Sequence, residues 1–521
     1  MKNYKTLIWF TLFFGTSTSQ FIFAESPQPI SKKDLNSKQN VIIIVADQMR
    51  RESMGFWSEE KFKGALNGRS DYVITPNIDT LAKNGAVFSQ AISNYPLCSP
   101  FRGMLLSGLY PNNNGVSKNT RVDRPEIGLR TDIITLTEAL NTAGYNTALV
   151  GKGHWHNNLP VFDKNNKYVG STEKPGGYFF QGTRYDAYIP PGPPRHGIEY
   201  WYQTIGHNHD NPTVYTNDSV ISKKPEGEPF YPKRYSAVDQ ADVIIDYINN
   251  THGQRQDEKP FSILWTMEPP HSPYKEMADT DEAIFNQYYK DVDIQILLNR
   301  PNVDIEKAAP FARYHFSMVT LIDREIGRVL TSLAKQNMLE NTLIVFTSDH
   351  GEMMGSHSLM TKNFVYEESL GIPLIMYHPK TIQHHVTDLL FSVPDFMPTI
   401  LGLLALDEYI PESLDGSDFS DAIIHPEANA SYTQRNSSLY YGKNSEYGVK
   451  TKQYTYAIDS DGKLLALFDN IADPYQLKPL SLADIPVEDS TFLKSELGTW
   501  LKHINHSWYQ QKRYPKMVHY P

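Results

Sequence analysis

"VIIIVADQ", residues 41–48, is an unbroken apolar run that stops at an acidic residue. A short β-branched run without polar alternation suits a strand buried on both faces, as in a parallel sheet. The pattern recurs. "NTALV" (146–150) ends in Gly151-Lys152-Gly153-His154, "FSILWTM" (261–267) ends in Glu268-Pro-Pro-His271, and "NTLIVFTS" (341–348) ends in Asp349-His350-Gly351. Helical patterns separate these runs at 75–85, 136–144, 237–250 and 317–336, the last with apolar residues spaced along one face. The expected fold class is α/β, with a large, mostly parallel sheet sandwiched by helices. In such a sheet the ligand crevice lies beyond the carboxyl ends of the strands. The four polar clusters, remote in sequence, would therefore converge there.

From about residue 430 the pattern alternates, with turn signals at Gly442, Asp459–Gly462 and Asn470. That predicts an antiparallel meander, followed by a helix over 490–508. Residues 430–521 are thus expected to form a smaller α+β subdomain beside a catalytic domain at 40–429. At the other end, Lys2 and Lys5 precede "TLIWFTLFF" and small residues up to Ala24, which reads as a signal peptide over 1–24. Residues 25–39 read as a flexible leader. The chain is expected to be exported, periplasmic or secreted, with no membrane span in its mature form. Its formal net charge of −10 argues against a nucleic-acid surface. It leaves room for an anionic substrate in a local cationic pocket.

The chain has one cysteine, Cys98. An unpaired thiol in an oxidising compartment asks for a reason. Pro100 is placed to start a helix running to Gly108, so Cys98 would sit where the peptide dipole favours negative charge. Two readings follow: a thiolate nucleophile, or a side chain altered after translation. Asp47 and Asp349-His350 offer ligands for a hard divalent cation. Lys152 and His154, two residues apart, and His271, held among prolines, are suited to neutralising an oxyanion and protonating a leaving group.

"CSPFRGMLLSG" (98–108) resembles the sulfatase motif C-x-P-x-R-x4-T/S-G, with Cys98, Pro100, Arg102, Ser107 and Gly108 in register. "TPNIDTLAKNGAVFSQAIS", "GKGH", "PHSPY", "TSDHGEMMGSH", Lys362, "EESLGIPLIMY" and "LALFDNIADPYQLKPL" appear around it in that family's order. The chain resembles a type I, formylglycine-dependent sulfatase of the alkaline-phosphatase superfamily, of the bacterial carbohydrate-sulfatase kind. The resemblance implies an alkaline-phosphatase-like fold and a sulfuric ester hydrolase. It implies that a maturase oxidises Cys98 to formylglycine (3-oxoalanine), whose hydrate attacks sulfur and then expels sulfate. Ca²⁺, with Mg²⁺ or Mn²⁺ as alternatives, would be bound by Asp47, Asp349, His350 and the modified Cys98. Gln48 stands where many members carry a second Asp and is expected as a further ligand. Asp349 would activate the attacking hydroxyl, and Arg102 would hold the diol. Lys152 and His154 would sit beside it, His154 as base for the elimination, with His156 as the alternative. His271 and Lys362 would bind sulfate oxygens and protonate the departing oxygen.

The loop-rich segments 155–235 and 280–315 are expected to grip a sulfated carbohydrate. Arg195, His196, Trp201, His207 and His209 would act from the first, and Arg300, Arg313 and His315 from the second. An oligosaccharide from an algal polysaccharide is the expected substrate, a host glycosaminoglycan the other choice. Two rival functions are a phosphonate monoester or phosphodiester hydrolase of the same superfamily, and a non-catalytic glycan-binding homologue with an unmodified Cys98.

Overall fold

The computed structural model describes residues 38–510, apart from 122–123, 125, 157–178, 181–182, 185–187, 207, 429–434 and 444. The segment expected to be a signal peptide and nearly all of the expected leader lie outside the described residues, as does the boundary expected at 430. Nine strands form the main sheet. In chain order they are β1 (Asn40–Ala46), β2 (Ala86–Phe88), β3 (Asn146–Lys152), β4 (Tyr200–Ile205), β5 (Thr213–Thr216), β6 (Phe261–Thr266), β7 (Thr342–Ser348), β8 (Leu374–Tyr377) and β9 (His385–Thr387). Their spatial order is β9-β2-β8-β7-β1-β6-β3-β4-β5. The stretch from β7 to β4 is parallel throughout, while β8 and β5 run antiparallel to their neighbours in it.

The central strands are apolar on both faces because both faces are covered. Val41, Ile43 and Val45 of β1 enter one core, and Ile42, Ile44 and Ala46 enter the other. Helices α1 (Pro76–Asn84), α2 (Cys98–Ser107), α3 (Leu136–Thr142), α4 (Ser236–Ile248), α5 (Ile305–Lys335), α6 (Phe396–Leu403) and α7 (Val487–His503) supply the covering layers. On one side lie α2, α3, α6 and α7; α1, α4 and α5 lie on the other. Burying one Val or Ile side chain contributes about 1.5–3 kcal/mol, so the buried apolar residues of β1 fix this strand at the centre.

The C-terminal segment forms a separate antiparallel sheet of β10 (Ser438–Gly442), β11 (Glu446–Lys450), β12 (Tyr454–Ile458) and β13 (Leu464–Asp469). Its Leu439, Val449, Tyr456 and Leu467 join the core that holds α2. A buried ion pair from Lys450 to Glu367 crosses to the main body, and the Tyr441 N–H donates to the Asn94 carbonyl at 2.7 Å. Among the described residues no helix is long and apolar enough to cross a membrane.

Candidate active site

The parallel strands deliver their polar ends to one place. Asp47 follows β1, Lys152 ends β3, His271 follows β6 and Asp349 follows β7. The tight approach of β3 to β6 depends on Gly151, whose φ is +112° and whose missing Cβ would fall 2.0 Å from the Thr266 carbonyl oxygen. Thr266 Oγ1 also donates to the Lys152 carbonyl at 2.7 Å, fixing the strand end that carries the lysine.

Cys98 is the first residue of α2, so the helix starts two residues earlier than the expected start at Pro100. The helix start is held by a neighbouring loop: the Ser99 N–H donates to Asn119 Oδ1 at 2.9 Å, and the Thr120 N–H donates to Ser99 Oγ at 3.0 Å. The far end stops at Gly108, in the left-handed region at φ +66°. This frame puts the buried Cys98 Sγ 3.3 Å from His350 Nε2 and 3.8 Å from Asp47 Oδ1. His350 Nε2 lies 3.4 Å from Asp349 Oδ1 and 3.6 Å from Asp47 Oδ1.

Ligand atoms of Asp47, Cys98, Asp349 and His350 all lie within 4.8 Å of one another, fully buried. His350 Nδ1 donates to the Gly351 carbonyl at 3.1 Å, so the Nε2 lone pair faces the cluster. Burial, together with the like charge of Asp47, pushes the Asp349 carboxyl up to about 7. Two dry carboxylates side by side with an imidazole lone pair form a donor set that a divalent cation satisfies. The residues present fit a metal.

Cations flank the carboxylates. Lys152 Nζ contacts Asp47 Oδ2 at 2.6 Å, and Arg102 Nη2 lies 3.4 Å from Asp47 Oδ2 and from Asp349 Oδ2. Arg102 Nη1 donates to the Lys152 carbonyl at 2.8 Å. Burial works against ionised Asp47, but Lys152, His271, His350 and Arg102 hold it well below the usual carboxylate range. Burial likewise opposes the charge on Lys152, yet Asp47 and Cys98 raise its pKa. His154 is fully buried at φ +57°; burial, then Lys152 and Arg102, keep its imidazole neutral. His156 is half-buried.

Lys362 Nζ meets His271 Nε2 and also donates to Gln48 Oε1 at 2.5 Å. His271 Nδ1 donates to the Ser272 carbonyl at 2.8 Å, so Nε2 carries the lone pair. Burial and the neighbouring Lys362 hold the His271 pKa well below its ordinary value. Gln48, expected as a further metal ligand, makes three hydrogen bonds here. Its side-chain oxygen accepts from Lys362, its amide nitrogen donates to Glu352 Oε2, and its backbone N–H donates to Asp349 Oδ1 at 3.0 Å. Gln48 therefore ties Lys362 to the carboxylate cluster.

Glu352 and Glu268 carry parts of the site that sequence reasoning missed. Glu352 Oε1 accepts from the Met354 and Thr361 N–H groups at 2.8 and 2.7 Å, and Oε2 accepts from Gln48 and from Tyr274 Oη at 3.2 Å. It pins the loop that presents Lys362. Glu268 Oε2 accepts from Gln240 Nε2 at 2.7 Å, and Gln240 Oε1 accepts from Trp265 Nε1 at 3.0 Å. Burial raises the Glu268 carboxyl to about 7, and Lys152 and Arg102 moderate the rise. Glu268 lies in the polar cluster after the 261–267 run and Glu352 within "TSDHGEMMGSH", but neither stretch assigns them a role.

The residues expected to grip a sugar are mostly interior. The segment read as loops contains β4 and β5. Trp201 on β4 has no exposed surface; it packs edge-on to Trp155, with the Arg195 guanidinium 4.4 Å above it. Arg195 is bound by the Ile189 carbonyl, Tyr188 and Glu226. His196 is buried, with Nδ1 3.6 Å from Glu138. Arg300 pairs with Glu368 at 2.9 Å, and His315 is buried against Tyr274. Arg313 is half-buried and donates to the Val292 carbonyl at 2.8 Å. His209 instead braces the site, with Nε2 2.7 Å from the His271 carbonyl. His207 lies outside the described residues. Packing and hydrogen bonds occupy the side chains of Arg195, His196, Trp201, Arg300 and His315 in the interior, while Arg313 stays half-buried.

A family model described as "Sulfatase" matches residues 39–406. The chain belongs to the sulfatase family. A second model, for the C-terminal region of N-sulphoglucosamine sulphohydrolase, matches residues 355–500 of this sulfatase. The enzyme, a sulfuric ester hydrolase, is 39% identical over 496 residues to an endo-4-O-sulfatase from Bacteroides thetaiotaomicron, covering 91% of this chain and 94% of that one. It is 29% identical to an ulvan-active sulfatase from Formosa agariphila, over 86% of this chain and 78% of the relative. A solved Bacteroides thetaiotaomicron structure, labelled a 4S-sulf protein of glycosaminoglycan metabolism, matches at a TM-score of 0.84 and 37% identity. That match covers 93% of this chain and all of the other.

Proposed function

We propose that this sulfatase removes 4-O-sulfate esters from a sulfated glycosaminoglycan chain, acting within the chain. Carrying that reading is the buried cluster of Asp47, Cys98, Asp349 and His350, flanked by Lys152, Arg102, His271 and Lys362. The 39% identity with an endo-4-O-sulfatase over nearly the whole of both chains supports this reading, as does the match to a solved protein of glycosaminoglycan metabolism. They favour a glycosaminoglycan over the algal oligosaccharide that the loops had suggested. Export to the periplasm or beyond, where such polymers are met, belongs to the same reading.

Asp47, Asp349 and His350 would hold a divalent cation, with Cys98 in its modified form beside it; the carboxylate oxygens of Asp47 and Asp349 favour Ca²⁺. When bound, the cation supplies positive charge against a sulfate oxygen. Formylglycine, made from Cys98 by a maturase, supplies a hydrated aldehyde oxygen as nucleophile. Around that position the chain's own groups divide the work. Asp349 accepts the proton of the attacking hydroxyl. Arg102 orients the nucleophile and, with Lys152, balances the charge of the two carboxylates. His154, held neutral, takes the proton that restores the aldehyde. Lys362 donates to the ester oxygens, and the Lys362–His271 pair passes a proton to the leaving sugar hydroxyl.

The test compares sulfate release from chondroitin 4-sulfate polymer, its disaccharide and an aryl sulfate with turnover of an aryl phosphodiester. Release from the polymer without prior cleavage supports the proposal. Phosphodiester turnover exceeding sulfate release would replace it with the phosphohydrolase reading.

A further inference from the structure

A groove of about 460 Å³ lies between the main body and the C-terminal sheet. One wall carries Lys118, Arg121 and Arg124; the other carries Lys443 and Tyr447, beside the adjoining ends of β10 and β11. Among the described residues that line it none is acidic. In a chain with formal net charge −10, such a concentration of cations is local and specific.

The groove adjoins the active site through three of its lining residues. Leu97 precedes Cys98, Asn363 follows Lys362, and Asn119 caps the α2 N-terminus through Ser99. Its cations are placed by the same frame. Arg124 Nη1 donates to the Asn119 carbonyl at 3.4 Å. Lys443 Nζ sits 4.4 Å from the ring centre of Phe364, two residues past Lys362. Tyr447 is half-buried and packs against Tyr441, His506 and Trp508, which fixes the hairpin at the groove's rim.

From this geometry we infer that the groove binds the sugars flanking the one that carries the scissile ester, through their carboxylate or sulfate groups. The inference rests on the reading of the enzyme as an endo-acting sulfatase. It makes the C-terminal hairpin a specificity element: a monosaccharide or aryl sulfate leaves the groove empty, and a polymer fills it. Lys118 and Lys443, both exposed, are the cations best placed to meet anions from solvent.

The experiment uses the full chain carrying Lys118→Glu and Lys443→Glu together; both positions are exposed, so the fold is retained. The ratio of kcat/KM on chondroitin 4-sulfate polymer to kcat/KM on an aryl sulfate is expected to fall about tenfold or more, with a weaker salt dependence on the polymer. Binding of the same polymer is measured separately on the Cys98→Ala protein with and without the two charge reversals. Polymer binding lost with the reversals supports the groove even if no sulfate is released, which separates its fate from that of the proposed activity. A carboxyl-reduced polymer distinguishes the sources: loss of the lysine dependence assigns carboxylates, and its persistence assigns sulfates. An unchanged ratio together with unchanged polymer binding overturns the inference.

Discussion

Replacing Glu268 with Gln should change how stability depends on pH. Glu268 is buried with one oxygen bonded to Gln240, and its carboxyl is raised to about 7 from a usual value near 4.5. Below about pH 4.5 the side chain is protonated in both folded and unfolded chains. Between that value and 7 the unfolded chain releases the proton and the folded chain keeps it, so stability falls as pH rises. A shift of about 2.5 units corresponds to about 3 kcal/mol, fully lost once the pH passes 7. Gln cannot titrate but retains an oxygen to accept from Gln240. The assay is urea unfolding of the chelator-treated protein, wild type and Glu268→Gln, in steps from pH 4.5 to 8. The variant's stability relative to wild type should grow by about 3 kcal/mol across that range, whatever constant offset the amide introduces. Parallel profiles would show that Glu268 is ionised in the folded state at mildly acidic pH, and would refute its description as a dry carboxyl beside Lys152 and Arg102.

Other perturbations reach other parts of the site. Added Ca²⁺ should raise the Tm of the wild type and have a much smaller effect on Asp349→Asn, read by thermal scans at fixed pH; equal shifts would remove Asp349 from the ligand set. Gly151→Ala should destabilise by about 3 kcal/mol or more, measured by urea unfolding, because a Cβ would meet the Thr266 carbonyl oxygen at 2.0 Å in a left-handed backbone. Glu352→Ala should strand the Met354 and Thr361 N–H groups and cost about 3 kcal/mol, while lowering kcat on an aryl sulfate by loosening Gln48 and Lys362.

The central strands were legible in the sequence because a strand buried on both faces leaves a continuous apolar run, and α/β topology then gathers the polar ends. That argument brings Asp47, Lys152, His271 and Asp349 to one edge of the sheet, where the structure has them. Strands β4 and β5 were read as loops. Their Tyr, Trp and Thr residues sit between His- and Asn-rich turns, and the same aromatic residues suit either a half-buried strand or a sugar surface. Burial decides it, and Trp201 and Arg195 belong to the core. Glu352 and Glu268 lie in stretches the sequence marks, but their roles depend on partners such as Gln48 and Gln240, which only the folded chain brings near. The basic groove was hidden for the same reason: Lys118 and Lys443 are more than three hundred residues apart in sequence.

The central claim is that the working nucleophile is made from Cys98. Its most direct test is the mass of the Cys98-containing peptide, taken from protein that has been coexpressed with a maturase and that releases sulfate. The account predicts a peptide lighter than the encoded one by the change from a thiol to an aldehyde, with the aldehyde trapped by a hydrazide. An intact Cys98 thiol throughout a sulfate-releasing preparation would contradict it.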